Sequence, residues 1–253
     1  MDLSSFLPFY GFYLGPIYVH AWGLTAALGV ITAAGMAFKK AGNQIPENKF
    51  WNLVIILIIS IFLGARAGYA LEHIGYYSLN PLSFLRIWEG GFSFSGGAIG
   101  GILAGYVWSK INKADFLFLG WLFTPAWLFG LFFGRIGCFL IQDHLGKPTD
   151  LPWGTWINGA YRHEPALYES IMVLIIGVLL SWNFLRRLSF GFKHPRDFFF
   201  PASLLLYSTG RFLLDFLRAD DPLYFNLTLA QWASVTIFTV TGAFLLIKNK
   251  KAV

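Results

Sequence analysis

Cysteine and charge are the scarcest features of this 253-residue sequence. Cys138 is the only cysteine, so neither an intrachain disulfide nor a thiolate-bound metal cluster can form. Charged residues make up 13 % of the chain and hydrophobic residues 56 %, which excludes an ordinary soluble domain. The first residues lack the basic segment of a cleaved signal peptide, so we expect the first apolar run to be retained as a membrane span.

Aromatic residues are abundant and basic residues exceed acidic ones. Aromatics make up 19 % of the chain, including 27 Phe and 10 Trp, as expected for belts at the membrane interfaces. The formal charge is +6, but the basic residues are dispersed among hydrophobic segments. Attraction to anionic lipid explains this pattern more simply than a nucleic-acid partner. We therefore predict an integral membrane protein that contacts the lipid bilayer and binds no nucleic acid.

Apolar stretches and charge clusters alternate along the chain. Seven stretches are candidate spans, at about 16–38, 51–72, 91–109, 116–134, 165–185, 198–217 and 229–247. Basic clusters follow every second stretch: Lys39, Lys40 and Lys49; Lys110 and Lys113; Arg186, Arg187, Lys193 and Arg196; and Lys248, Lys250 and Lys251. Most acids fall in the other connectors, at Glu72, Glu89, Asp143, Asp150, Glu164, Asp220 and Asp221. The positive-inside rule then predicts an all-α polytopic protein, with the amino terminus outside and the carboxyl terminus cytoplasmic. We expect residues 1–253 to form a single transmembrane catalytic domain.

Glycines dominate the third predicted span. Gly97, Gly101 and Gly105 lie on one helix face, where small residues favour close helix packing. The doubled glycines at 90–91 and 96–97 instead suggest a broken helix start, where backbone amides can meet an anion.

The longest predicted external connector covers about 134–164. Its first part is too apolar for a solvated loop and too polar for a lipid-facing span. Such a segment is tolerated at membrane depth only when it is buried in protein or lines a cavity. We therefore expect this connector to help form the functional site.

Isolated charges mark candidate site residues. Arg66, Arg135, Arg211 and Arg218 lie in or beside apolar stretches, where a charge is expensive and usually functional. Arg211, Asp215 and Arg218 share one helix face by their spacing, which is also compatible with a simple intrahelical ion-pair ladder. Arg135 is predicted on the same side of the membrane. Two converging guanidiniums suit a phosphate, which arginine binds bidentately.

Several motifs resemble those of the prolipoprotein diacylglyceryl transferases. The resemblance is collinear over nearly the whole chain and rests on these segments: His20-Ala21-Trp22-Gly23; Gly64-Ala65-Arg66-Ala67-Gly68-Tyr69; Gly90-Gly91-Phe92-Ser93-Phe94-Ser95-Gly96-Gly97; Gly134-Arg135-Ile136 with Asp143 and Gly146; Arg162-His163-Glu164-Pro165-Ala166-Leu167-Tyr168-Glu169; and Gly210-Arg211-Phe212-Leu213-Leu214-Asp215-Phe216-Leu217-Arg218. The resemblance implies transfer of the diacylglyceryl group of phosphatidylglycerol to the lipobox cysteine in a prolipoprotein signal peptide. It also implies a bacterial plasma membrane location, with the active site on the extracytoplasmic side.

The resemblance assigns roles residue by residue. Arg135, Arg211 and Asp143 are the implied catalytic residues, with the two arginines holding phosphate and favouring a thiolate. The implied substrate-binding residues are Arg135, Arg211, Asp215, Arg218, Tyr69, Ser95, Gly96, Gly97 and His20. The reaction requires no metal and no cofactor, and Cys138 is expected to pack rather than act as a nucleophile.

The chain departs from the family pattern at three positions. Ser95 stands where many members have His, Cys138 where Asn is usual, and Asp143 where Glu is usual. The base that deprotonates the thiol is thus open among His144, Asp143 and water, or the arginine pair suffices without one.

Three alternative functions remain open. A catalytically silent or altered-specificity relative would bind phospholipid or lipoprotein. A CDP-alcohol type transferase needs several Asp at helical spacing for metal, and a transporter often shows paired inverted repeats. Neither pattern is visible in the sequence. Thiol-dependent loss of the phosphatidylglycerol head group separates the enzyme from a binder or transporter.

Overall fold

The computed structural model describes residues 8–87, 90–181, 196–219 and 221–250. The described chain is mostly helical, with eight α-helices: α1 (Ala21–Ala41), α2 (Glu47–Glu72), α3 (Ile74–Leu79), α4 (Phe94–Ile111), α5 (Phe116–Leu140), α6 (Pro165–Ser181), α7 (Arg196–Asp215) and α8 (Leu229–Lys250). Three antiparallel hairpins complete it: β1 (Gly11–Leu14) with β2 (Ile17–His20), β3 (Thr155–Ile157) with β4 (Ala160–Arg162), and β5 (Leu223–Tyr224) with β6 (Leu227–Thr228).

Four of the described helices are long and apolar enough to cross a membrane. They are Ala21–Gln44, Glu47–Glu72, Phe116–Leu140 and Leu229–Lys248, and Pro165–Leu180 is a shorter apolar helix. These helices establish a mostly helical membrane protein, while the count of seven spans and the orientation of the termini stay predictions. Residues 182–185 of the fifth predicted span lie outside the described residues, as do Glu89, Arg186, Arg187, Lys193, Asp220 and Lys251.

The start of the first predicted span is wrong. Residues 17–20 form strand β2, and the helix begins only at Ala21. The hairpin forms because Gly15 adopts a φ of 61° in the turn, a conformation that glycine adopts without strain. The apolar side chains of this segment therefore belong to a hairpin rather than to a spanning helix.

The described chain divides into two compact units. The first comprises Met1–Lys39 and Gly120–Val253, and the second comprises Lys40–Leu119. That residues 1–253 work as one catalytic domain stays a prediction.

Helices α5, α6 and α7 form the core of the first unit. Leu128 on α5 packs in one buried cluster with Val173 and Ile176 on α6 and with Phe199 and Tyr207 on α7. Between membrane helices such contacts stabilise through van der Waals packing rather than through removal of apolar surface from water. This apolar layer holds the polar ends of the three helices next to one another.

The connector between α5 and α6 is fastened to the end of α7. The amide of Lys147 donates to the carbonyl of Leu217 at 2.8 Å, and the amide of Ala219 donates to Leu145 at 2.9 Å. Gly146 lies between these bonds, and a Cβ there would collide with the backbone of His163. The signature glycine is thus needed for close approach of two backbone segments.

In the second unit, α2 and α4 pack backbone to backbone. A Cβ on Gly64 would lie 2.5 Å from the carbonyl oxygen of Gly96 and 3.0 Å from the Cα of Gly100. The close contact therefore runs through Gly96 and Gly100, one residue away from the predicted series. Gly101 also packs tightly, against Ile61, whereas Gly105 makes only ordinary contacts.

Candidate active site

Two arginines from different helices meet at one buried carboxylate in the first unit. Arg135 Nε of α5 lies 3.1 Å from Glu169 Oε2 of α6, and Arg211 Nε of α7 lies 3.9 Å from the same oxygen. Glu169 is 3 % exposed. The hydroxyl of Tyr207 donates to the other carboxylate oxygen at 2.8 Å. Glu169 thus links all three helices at the level of the arginine pair, Arg135 and Arg211.

The predicted face of α7 extends the cluster toward the helix end. Arg211 Nη1 lies 2.7 Å from Asp215 Oδ1, and Arg218 Nε lies 3.8 Å from the same oxygen. The hydroxyl of Thr228 donates to Asp215 Oδ2. Arg218 also pairs with Asp221, Nε to Oδ2, at 2.6 Å. We call Arg135, Glu169, Arg211, Asp215, Arg218 and Asp221 the ionic network.

This network is more than a ladder along one helix. A ladder along α7 accounts only for Arg211 and Asp215, because the helix ends at Asp215 and Arg218 lies beyond it, contrary to the prediction that Arg218 shares the helix face. Glu169 and Thr228 come from α6 and β6. Three guanidiniums face three carboxylates, so the buried charges balance within the network. An anion that takes the place of a carboxylate in such a cluster leaves no arginine unpaired, and an unpaired buried charge would be costly.

His144 and Asp143 lie at the outer edge of this network. Arg218 Nη2 lies 3.3 Å from His144 Nδ1, and His144 Nε2 lies 3.5 Å from Asp143 Oδ2. Since arginine can only donate, Nδ1 is the acceptor and the hydrogen is on Nε2, facing Asp143. Burial, and then the charge of Arg218, lower the pKa of His144 below its ordinary value. The contact with Arg218 and the lowered pKa both favour the neutral imidazole.

Cys138 lies beside the arginine pair but faces a cation. Its Sγ is 3.9 Å from Arg135 Nη1, and the side chain is buried. The ligand atoms of Cys138, Asp143 and His144 lie within 4.8 Å of one another, a spacing that a metal ion can bridge. The neighbouring guanidiniums of Arg135 and Arg218 repel a cation at that point. The position favours an anion over a metal.

Arg66, in the second unit, has a structural role. Its guanidinium is 3 % exposed and donates to the carbonyls of five residues, namely Ser83, Phe84, Arg86, Gly90 and Gly91. These bonds use all five N–H groups of an arginine. Arg66 therefore ties residues 83–86 and 90–91 to α2.

Tyr69, Ser95, Gly96 and Gly97 also belong to the second unit. Tyr69 stacks on His73 with ring centroids 4.1 Å apart, and both line a cavity of about 380 Å³. Ser95 Oγ lies 2.9 Å from Ser93 Oγ, and the Ser93 hydroxyl donates to Glu72 Oε1 at 2.6 Å.

The predicted anion-binding amides of the third span have intramolecular partners. The amide of Gly96 donates to Ser93 Oγ at 3.4 Å, and that of Gly97 donates to the Ser93 carbonyl at 3.1 Å. His20, in the first unit, ends strand β2 and packs its ring edge-on against Tyr18. Substrate binding by His20, Tyr69, Ser95, Gly96 and Gly97 stays a prediction.

Four residues of the site received no role from sequence reasoning. Glu169 is a carboxylate within an apolar run, which is itself a signal of function in a membrane helix. Tyr207, Asp221 and Thr228 carry no comparable signal, because their partners come from distant parts of the chain. Only the packing of α6, α7 and β6 brings them to the arginines.

Comparison with known proteins identifies the family of this chain. Residues 10–247 match the family model described as prolipoprotein diacylglyceryl transferase. The phosphatidylglycerol–prolipoprotein diacylglyceryl transferase of Pasteurella multocida is 32 % identical over 256 residues, covering 95 % of this chain and 92 % of the relative. The enzyme of the same name from Geobacter sulfurreducens is 33 % identical over 217 residues, covering 83 % of this chain and 82 % of the relative. That from Trichormus variabilis is 31 % identical over 238 residues, covering 90 % of this chain and 84 % of the relative. The chain belongs to the prolipoprotein diacylglyceryl transferase family.

Proposed function

We propose that this chain transfers the diacylglyceryl group of phosphatidylglycerol to the lipobox cysteine of a prolipoprotein. A bond forms between the thiol sulfur and the glyceryl carbon, and the bond between that carbon and the phosphate oxygen breaks. The products are a thioether and glycerol phosphate, and the thiol proton passes to a base or to water. The observation that carries the proposal is the convergence of Arg135 and Arg211 on one buried carboxylate.

The arginine pair holds the phosphate of the lipid. Arg135 lies five residues before the end of α5, and Arg211 lies four residues before the end of α7. At 1.5 Å per residue, both lie about 6–8 Å inside the helix ends, a depth suited to a phospholipid head group. As the ester bond breaks, the phosphate gains charge, and preorganised guanidiniums stabilise that charge in the transition state.

Glu169 keeps the pair in position and occupies the anion's place in the absence of lipid. Its Oε2 faces the Nε atoms of both arginines. An entering phosphate competes with this carboxylate for the same donors, so binding shifts at least one guanidinium from carboxylate to phosphate. Tyr207 retains Glu169 through the other oxygen during that exchange.

The thiol requires activation as well as a leaving group. A free thiol has a pKa of about 8.5, so only a small fraction is thiolate near pH 7, and a neighbouring arginine raises that fraction. The nitrogen of His144 that could accept a proton, Nδ1, already accepts a hydrogen bond from Arg218. Of the candidate bases, this leaves Asp143, whose carboxylate is 54 % exposed, and water. We assign the thiol proton to one of these two acceptors.

The proposed number of spans and their orientation in the membrane rest on the charge pattern of the sequence. We propose seven spans in a bacterial inner membrane, with the amino terminus outside and the site open to the extracytoplasmic leaflet. The basic clusters support this orientation, because they flank alternate apolar stretches. On this orientation the lipid substrate reaches the site laterally from the bilayer, and the prolipoprotein cysteine reaches it from the outer side.

The test is a transfer assay with purified components. The protein in detergent is mixed with phosphatidylglycerol and a synthetic lipobox peptide, and the peptide mass is followed. The proposal requires a thioether-linked diacylglyceryl peptide, and none with a peptide in which the cysteine is replaced by serine. Absence of the product, while a competent family member forms it under the same conditions, contradicts the assignment. Release of the head group without peptide modification would point to a different reaction.

A further inference from the structure

The β5–β6 hairpin has an unusual tip. Phe225 and Asn226 form the two-residue turn with φ values of 52° and 66°. Such turns favour Asn-Gly, and a phenylalanine in the left-handed region is a strained outlier. Phe225 is also 93 % exposed. Neither turn geometry nor packing within the described chain accounts for an aromatic side chain at this position.

The hairpin leads directly into a candidate membrane span, so the surface of the bilayer is its expected position. Strand β6 ends at Thr228, and the apolar helix long enough to span the membrane begins at Leu229. Leu223, Tyr224 and Leu229 are all exposed and surround the tip with apolar surface. Exposed apolar patches of this kind mark interaction surfaces. The interfacial zone of the bilayer, where aromatic rings are enriched, is the surface within reach.

Both legs of the hairpin are bonded to the ionic network. On the incoming leg, Asp221 pairs with Arg218. On the outgoing leg, the hydroxyl of Thr228 donates to Asp215. Thr228 and Gln231 also exchange hydrogen bonds of 3.0 and 3.1 Å, which fix the start of α8. A displacement of the hairpin therefore moves the partners of Asp215 and Arg218.

The hairpin itself is stiffened by a further contact. The indole of Trp232 on α8 donates to the carbonyl of Tyr224 at 2.8 Å. This bond joins the strand next to the tip to the first turn of the spanning helix. The tip is thus tied to the start of α8, which Thr228 ties to Asp215.

We propose that residues 221–228 insert Phe225 into the lipid interface beside α8 and thereby hold Asp215 and Arg218, and through Asp215 also Arg211, at head-group depth. The contact between Phe225 and lipid is inferred from the hairpin alone, whereas the role in setting the depth of the ionic network rests on the proposed function. The partner is the lipid surface of the same bilayer. A signal peptide as the partner of Phe225 is the competing outcome.

The lipid contact is tested by a fluorescent label at position 225. Phe225→Cys is labelled with bimane in nanodiscs of phosphatidylethanolamine and phosphatidylglycerol, and the unsubstituted protein measures background reaction at the buried Cys138. Asp150→Cys, at an exposed charged position, gives the water-exposed reference. We expect a blue-shifted emission at 225 that brominated lipids quench, and neither effect at 150. Water-like emission at 225, or a shift that appears only when a lipobox peptide is added, overturns the proposal.

The depth-setting role is tested by turnover. Phe225→Leu keeps an apolar tip, and Phe225→Asp places a charge there. In nanodiscs we expect the leucine variant within about twofold of wild type and the aspartate variant slower by about tenfold. With a short-chain phosphatidylglycerol in detergent, where bilayer depth is absent, the aspartate variant should regain the wild-type rate. Equal rates of both variants in nanodiscs, or an equal loss in detergent, refute this role. If the wild-type protein transfers no lipid, the proposed function fails, while the label still decides the lipid contact.

Discussion

Glu169→Gln is the substitution that separates most clearly an anion-binding arginine pair from a structural ion pair. The change removes the charge that faces Arg135 at 3.1 Å and Arg211 at 3.9 Å. At an effective dielectric constant of about 20, these distances correspond to roughly 5 and 4 kcal/mol of attraction. Removing one partner of a buried pair usually destabilises by about 3–5 kcal/mol, because the other charge is left uncompensated. For a chain of this size the melting temperature in detergent should fall by roughly 10 °C.

A soluble phosphate should then restore part of the lost stability. If the pair accepts a phosphate where Glu169 lies, glycerol phosphate compensates the exposed guanidiniums in the variant, and a ligand at 100 times its Kd adds about 2.7 kcal/mol. The wild-type protein, whose site already holds a carboxylate, should respond less. Asp197→Asn is the matched control, because Asp197 faces Lys248 at 3.5 Å, outside the network.

Thermal unfolding of the three proteins is measured with glycerol phosphate and with chloride at equal ionic strength. We expect phosphate to raise the melting temperature more for Glu169→Gln than for the wild type or for Asp197→Asn. Equal rises in all three proteins would show that the pair has no special affinity for phosphate. An unchanged melting temperature in Glu169→Gln would show that the carboxylate does not compensate the arginines.

Four further outcomes follow from the same contacts. Arg135→Lys and Arg211→Lys should each lower turnover in the peptide transfer assay by at least about 100-fold, since lysine cannot bind phosphate bidentately; a variant that keeps the wild-type rate removes that residue from the mechanism. The lowered pKa of His144 means that the unfolded chain binds its proton first, so stability falls as the pH drops below about 6.5; melting temperatures from pH 8 to 5 should fall less for His144→Gln than for the wild type. Burial raises the pKa of Glu164 to about 7 from an ordinary 4.5, so its stabilising contribution is complete below 4.5 and lost as the pH rises through 7. Glu164→Gln should therefore stabilise the protein at pH 8 by up to about 3 kcal/mol and have little effect at pH 4.5. Equal changes in stability at the two pH values would contradict this. Arg66→Lys should lower the melting temperature by several degrees and expose residues 83–91 to proteolysis, because three ammonium hydrogens cannot reach five carbonyls; an unchanged digestion pattern would show that these bonds are dispensable.

The candidate site was predictable from sequence where its residues share one helix. Arg211 and Asp215 fall on one face of α7 by spacing alone, and the structure places them in contact. Arg218 was predicted on the same face but lies beyond the end of the helix at Asp215, and it reaches that carboxylate from the following turn. The sequence marks Glu169 as an acid in an apolar run. Its partners could not be predicted, because they come from α5 and α7. Which buried charges meet depends on how three helices pack, and the sequence pattern carries no signal for that.

Local backbone conformation explains the other differences between the predicted and the observed structure. The predicted first span begins too early, because hydropathy does not distinguish residues 17–20 from the apolar helix that follows. Only the turn at Gly15 shows that these residues form a strand. Arg66 was recognised as an unusual charge beside lipid, but its five carbonyl partners belong to an irregular segment that hydropathy cannot describe. The glycine pattern predicted close packing correctly for Gly101 but not for Gly105, and the closest contact runs through Gly96 and Gly100 because the facing helix contributes Gly64.

The most direct measurement is an experimental structure of the protein with phosphatidylglycerol bound. The account predicts that oxygens of one lipid phosphate lie within about 3 Å of guanidinium nitrogens from both Arg135 and Arg211, with at least one Glu169 contact lengthened. A phosphate bound away from these two side chains, or contacted by only one of them while Glu169 keeps both pairs intact, would contradict it.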